Sequence, residues 1–144
     1  MTDLRDTVLD TARGRFGALR NDNIGGAPLL ALHGWLDNAA SFRPMAPMLT
    51  GYDLVALDMP GHGRSFHYPA DAEYSLFSTI LDMLAAADAL GWERFAVLGH
   101  SMGGAIASLL AAAAPDRIGR LFLIEALGPL VDHVVLVTDL VFVG

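Results

Sequence analysis

The sequence predicts an α/β fold, a mostly parallel sheet flanked by helices, and two observations carry that expectation. Short apolar runs recur at residues 28–32, 54–57, 95–98 and 121–124, none alternating with polar residues and each bounded by turn-forming residues. Continuous runs of that length suit strands covered on both faces, the habit of parallel sheets. Between them lie helix-like stretches, and strand alternating with helix implies right-handed βαβ crossovers.

Taken in order, residues 8–19, with Gly14 and Gly17, are expected as an antiparallel hairpin at the sheet edge. Residues 43–49 can form only a short helix, since Pro44 suits a first turn but Pro47 falls deep within it. Over 74–90, Leu76, Phe77, Ile80, Leu81 and Leu84 recur at helical spacing, and Gly91 is a natural stop. A second helix, rich in small residues, spans 101–114 and ends at Pro115. Its uncharged stretch is shorter than the roughly 18 residues of a membrane span, so it reads as a buried helix. No repeat or linker interrupts the pattern.

Composition agrees with one domain. Of 144 residues, 53% are hydrophobic and 17% charged, enough apolar material for a sizeable core and too much for a disordered chain. The net charge of −7 leaves no electrostatic footprint for nucleic acid, and no basic run addresses an anionic membrane; the expected partner is a small molecule. Absence of Cys rules out disulfides and thiolate metal sites and fits a reducing compartment. Asp3, Arg5 and Asp6 lead into no apolar segment of a signal peptide, so the cytoplasm is the expected location.

The chemistry concentrates at Gly99-His100-Ser101-Met102-Gly103, a G-x-S-x-G match directly after the run 95–98 and directly before the small-residue helix. The pentapeptide alone arises by chance in about one chain in ten of this length. Its placement is what counts. A serine on a sharp strand-to-helix turn needs Gly on both sides so that strand and helix can approach, and the turn exposes its hydroxyl. Ser101 also stands at a helix N-terminus, where the Met102 N–H can face a developing oxyanion. The competing reading, a phosphate-cradling loop, would want G-x-G-x-x-G or a Gly-Lys-Ser/Thr signature, and neither is present.

His33-Gly34-Trp35 follows the run 28–32, at the carboxyl edge of the sheet where open α/β sheets bind ligands. With LHGWLDNAASF from Leu32, LDMPGHGRS from Leu57, LGHSMGG from Leu98 and LIEALGPL from Leu123, the chain resembles the α/β-hydrolase superfamily, specifically the serine hydrolase-like proteins. The resemblance implies an α/β-hydrolase fold, here truncated after the sixth strand. It implies that Trp35, as the residue after His-Gly, supplies a second oxyanion N–H beside that of Met102, although plain pocket lining is an equally good role for its side chain. The loop 58–65, with Asp58, Pro60, Gly61 and Gly63, reads as structural, and His62 and His67 as satisfied loop histidines.

A serine hydroxyl needs a histidine to take its proton, and that histidine needs an orienting carboxylate. Glu125, at the end of the run 121–124, is the best-placed acid, as some relatives carry theirs after this strand; a solvated or capping glutamate is the alternative. His100 cannot serve as base, because neighbours on a sharp turn point apart. The family order is Ser, acid, His. The only histidine beyond Glu125 is His133, in a position where the family enters its cap, so no base is evident. Residues 1–130 are expected to form the N-terminal part of the core, with 131–144 a Val-rich tail, strand-prone if covered, in place of cap and C-terminal core.

The expected function is a cofactor-free, metal-free serine hydrolysis of an ester or related acyl bond: Ser101 attacks, and the Trp35 and Met102 N–H groups stabilise the oxyanion. Dehalogenase and epoxide hydrolase chemistry is disfavoured, since those relatives use Asp where this chain has Ser101. The alternative is a catalytically inactive hydrolase-like protein that binds a small ligand, or a truncated product.

Overall fold

Two edge strands, β1 (Arg5–Thr11) and β2 (Gly14–Arg20), pair antiparallel as the hairpin expected from the sequence. The computed structural model describes residues 3–125 and, as backbone, 140–143. After the hairpin come β3 (Ala27–Leu32), β4 (Tyr52–Leu57), helix α1 (Leu76–Ala89), β5 (Phe95–His100), helix α2 (Met102–Ala113) and β6 (Ile118–Ile124). With Leu140–Val143 as β7, the strand order is β1-β2-β4-β3-β5-β6-β7; β2 meets β4 antiparallel and every later pairing is parallel. The sheet extends past the sixth strand, because β7 pairs parallel with β6. His133 lies outside the described residues.

The unbroken apolar runs are explained by cover on both faces. Leu30, Leu32, Val55, Leu57 and Val97 pack with Ile80, Met83 and Ala86 of α1 and Ile106, Ala107 and Leu110 of α2. Their strand neighbours Leu29, Ala31, Leu54, Ala56 and Leu98 turn to the other face, against Ala39, Phe42 and Ala46. Those three sit on single 3₁₀ turns, Ala39–Phe42 and Ala46–Met48, the second of them within the stretch 43–49 where a short helix was expected. Prolines at 44 and 47 deny the backbone donors that a continuous α-helix would need.

Helix α1 departs from the sequence pattern. It starts at Leu76, not Tyr74, because the Ser75 hydroxyl caps it by accepting from the Ser78 N–H. Its buried positions are Ile80, Asp82, Met83, Ala86 and Ala87, while Leu76 and Phe77 are 55% and 70% exposed. The apolar residues of its first turn therefore face outward, and an acid lies in the core instead. Asp82 is fully buried because Arg13 from the β1–β2 turn and the Tyr68 hydroxyl both donate to its carboxylate.

The tightest packing is where α2 crosses the sheet. A Cβ on Gly103 would stand 2.1 Å from the Leu32 carbonyl oxygen, and one on Gly99 would stand 2.4 Å from the Gly103 carbonyl oxygen. Both obstacles are backbone, so neither can give way cheaply. Gly103→Ala is expected to destabilise the chain by at least about 2 kcal/mol, the upper range for overpacking. Gly51→Ala, where a Cβ meets nothing within 4 Å, should change stability by no more than about 0.5 kcal/mol. Urea melts of the two variants against the parent chain test the contrast.

Candidate active site

At the carboxyl edge of the sheet the chain leaves β3 toward the face of the 3₁₀ turns and leaves β5 toward the face of α2. Neighbouring parallel strands whose connections part to opposite faces open a crevice between them. Ser101 and the loop after β3 meet there. A Cβ on Gly34 would lie 3.4 Å from both the Ser101 Cβ and His100 Nδ1, in ordinary contact.

Ser101 has φ 53 and ψ −115, outside the regions open to an unstrained L-residue, and its side chain is exposed. Such a conformation costs about 1–3 kcal/mol and persists only where the surroundings over-determine it. Here the Ser101 N–H donates to the Ile124 carbonyl at 3.2 Å, and its carbonyl accepts from Gly104 at 2.9 Å and Ala105 at 3.2 Å. Strand β6 and the first turn of α2 thus clamp it from two sides. The hydroxyl makes no capping bond to the helix. Among the described residues, the backbone N–H groups of Trp35 and Met102 donate to no protein acceptor. The structure thus sets Gly34, the residue before Trp35, against an exposed Ser101, with Met102 next to it in the chain.

Buried polar groups hold the loops around it. His33 is fully buried, and its Nε2 accepts from the Met59 N–H at 2.9 Å. Its proton therefore sits on Nδ1, 2.7 Å from the Gly34 carbonyl oxygen that accepts it. His62 accepts from the Leu36 N–H at 3.1 Å through Nε2, pinning a residue at φ 59 next to Trp35. Asp58 accepts from Ala39 at 2.8 Å and from Arg64 at 3.0 Å, and its carboxyl would lie 2.3 Å from a Cβ on Gly63. Ser65 donates to the Asp58 carbonyl and accepts from the Gly17 N–H at 3.1 Å. The loop expected to be structural is so. Asp37, two residues after Trp35, is held below the usual carboxylate range by the Ser41 hydroxyl, despite partial burial.

Glu125 ends β6 with φ 45 and is 75% exposed; its carboxylate lies 3.8 Å from His100 Nε2. The structure thus places Glu125 on the same edge as Ser101, but against the imidazole of the neighbouring residue. Among the described residues no imidazole hydrogen-bonds to the Ser101 hydroxyl, and no group of three His, Cys, Asp or Glu side chains could hold a metal. No helix there is long and apolar enough to cross a membrane.

Beside the serine runs a cleft of about 520 Å³, lined by Trp35, Leu36, Pro60, Tyr74, Met102 and Ile106, among others. Its far wall, Tyr74, and the Tyr68 and Asp82 behind it were not singled out from the sequence. An acid spaced among the core positions of α1 was the available signal.

The comparisons with known proteins follow this geometry. The family model described as alpha/beta hydrolase fold matches residues 27–143. A serine hydrolase-like protein of Danio rerio is 38% identical over 117 residues, 78% of this chain and 36% of that protein. Lipase 3 of a Moraxella species is 39% identical over 133 residues, 88% of this chain and 41% of that protein. A crystal structure of a hypothetical protein of Pseudomonas aeruginosa PAO1 superposes with a TM-score of 0.83 at 44% identity, over 92% of this chain and 47% of that one. The chain thus spans less than half the length of each.

Burial lowers the pKa of His33 below its ordinary 6.5, against the opposing pull of the Gly34 carbonyl. The unfolded chain then binds this proton more readily than the folded one. The stability it contributes is full above the ordinary His pKa and is lost as pH falls below it. The urea midpoint should drop between about pH 7.5 and 5.5, and His33→Gln should flatten that dependence while lowering the midpoint.

Proposed function

The chain belongs to the α/β-hydrolase fold family, within its serine hydrolase-like subgroup, and we propose that it is a serine hydrolase of ester or related acyl bonds with Ser101 as nucleophile. The observation that carries this reading is the exposed Ser101 held at φ 53 on a strand-to-helix turn, with the unengaged Met102 N–H beside it and the loop that carries Trp35 packed against it. The Ser101 Oγ attacks the acyl carbon and gives up its proton to a histidine; the N–H groups of Trp35 and Met102 receive the charge that develops on the carbonyl oxygen. Collapse of the tetrahedral intermediate returns that proton to the leaving alcohol, and water then releases the acid from the acyl-enzyme. Glu125 is the proposed orienting carboxylate, supported by its place on the same sheet edge. On this reading residues 1–130 are the N-terminal part of a hydrolase core that meets a small acyl substrate in the cytoplasm.

Among the described histidines none bonds the Ser101 hydroxyl: His33 is buried with both ring nitrogens engaged, His62 is bound to Leu36 and Pro60, His100 faces Glu125, and His67 lines the cleft. That observation favours a second reading for the 144-residue chain: a hydrolase-like protein that binds its ligand and turns over little or none.

A fluorophosphonate probe separates the two. The chain should label slowly or not at all, with any label at Ser101 and none in Ser101→Ala, because most nucleophilic activation is missing without a triad histidine. Rapid labelling of the parent that Ser101→Ala abolishes would show that a base is at hand and point to His133 or a partner chain; labelling that survives Ser101→Ala would refute the nucleophile.

A further inference from the structure

The cleft beside Ser101 shares its lining with a residue that no motif singled out. Tyr74 lines it together with Trp35 and Met102, half exposed, with its ring against Gly61, where a Cβ would come within 2.9 Å of Tyr74 Cε1. Its hydroxyl accepts from the Tyr68 N–H at 2.9 Å, and the two rings stack at 4.4 Å with 13° between planes. Tyr68 in turn donates its own hydroxyl to the buried Asp82, which Arg13 also holds. Burial and that carboxylate push the Tyr68 hydroxyl up to about 12, so it remains a donor at any physiological pH. The loop between β4 and α1 is thereby tied to the core through one side-chain relay.

The lining of the cleft says what it would accept. Trp35, Leu36, Met59, Pro60, Leu76, Met102 and Ile106 are apolar, and no carboxylate, ammonium or guanidinium lines it; the polar groups there are His62, His67, Ser75, Thr79 and the tyrosine hydroxyl. Its volume, about 520 Å³, lies in the range of sites that take small organic ligands. Met102 also carries one of the two donors next to Ser101, so a group in the cleft is continuous with an acyl carbon at the serine.

We propose that this cleft takes an uncharged, extended alkyl chain of the acyl substrate, and that Tyr74, set in place by Tyr68 and Asp82, is the residue that selects for chain length. The proposal rests on the serine hydrolase reading. Tyr74 contacts the chain directly, whereas Tyr68 and Asp82 act only by positioning it.

Two readouts on the full chain test this. Trp35 is 72% exposed at the cleft and Trp92 is buried elsewhere, so decanol entering the cleft should shift the tryptophan emission to the blue in a saturable manner, and butanol should do so far more weakly. Tyr74→Ala should weaken decanol binding about tenfold, the equivalent of one lost aromatic contact, while Tyr74→Phe keeps most of the affinity and Tyr68→Phe gives an intermediate loss. In parallel, the ratio of Ser101 labelling rates by a long-tailed and a methyl-tailed alkyl fluorophosphonate should exceed about ten in the parent and fall in Tyr74→Ala and Tyr68→Phe. A merely structural Tyr68 would lower both rates together and leave the ratio alone. Decanol binding that is absent, or unchanged in a folded Tyr74→Ala, overturns the proposal, as does an unchanged labelling ratio. Tyr74-dependent decanol binding with no labelling by either probe would support the cleft and refute turnover by this chain, the outcome that the ligand-binding reading expects.

Discussion

Backbone against backbone, at the point where α2 passes over the end of β3, is the contact on which the candidate site depends. Gly103 lies so close to the Leu32 carbonyl that no side chain fits between them, and Gly99 lies as close to the Gly103 carbonyl. With strand and helix this near each other, the residue between them has no room for an ordinary turn and adopts φ 53. The strain at Ser101 is thus a product of packing elsewhere, held by the bond to Ile124 and the first turn of α2. Rigidity matters for chemistry because a hydroxyl and its oxyanion donors act only when they are set beforehand.

The loops around the crevice are organised by polar groups that water does not reach. His33 and Asp58 are both buried; His33 accepts from the Met59 N–H of the next loop, and Asp58 accepts from Ala39 of the loop after β3 and from Arg64 of its own loop. Loops cannot pair with one another as strands do, so their donors need side-chain acceptors. In consequence the two loops that frame the serine, after β3 and after β4, behave as one unit. The Arg13, Asp82 and Tyr68 relay extends the same logic to the distal wall, linking the edge hairpin, α1 and the cleft.

Much of this was legible in the sequence because short-range rules governed it. The strands β3 to β6, the edge hairpin and α2 follow from apolar runs and their Gly and Pro boundaries. The placement of Ser101, Met102 and Trp35 follows from two motifs that each end a strand. Other features were not legible. Helical spacing in α1 pointed to Leu76, Phe77 and Leu81 as core, whereas Asp82 is buried and those three are exposed to differing degrees. Periodicity reports which residues share a face, not whether a buried carboxylate will find an arginine and a tyrosine from distant segments. Glu125 was correctly expected on the serine's sheet edge, yet its pairing with His100 depends on a positive φ at the end of β6 that no motif encodes.

By itself, the sequence determined the fold class, the order of the elements and the identity of the residues at the crevice, since each is set by local patterning and by glycines without which strand and helix could not touch. Only the tertiary structure decided how those residues stand to one another. It set Gly34 against Ser101, directed Glu125 to His100, left the Trp35 and Met102 donors open, and brought Tyr74 into the cleft that they line. These are contacts between segments far apart in the chain, and their geometry follows from close packing of the whole sheet and its helices, which no single stretch of sequence contains.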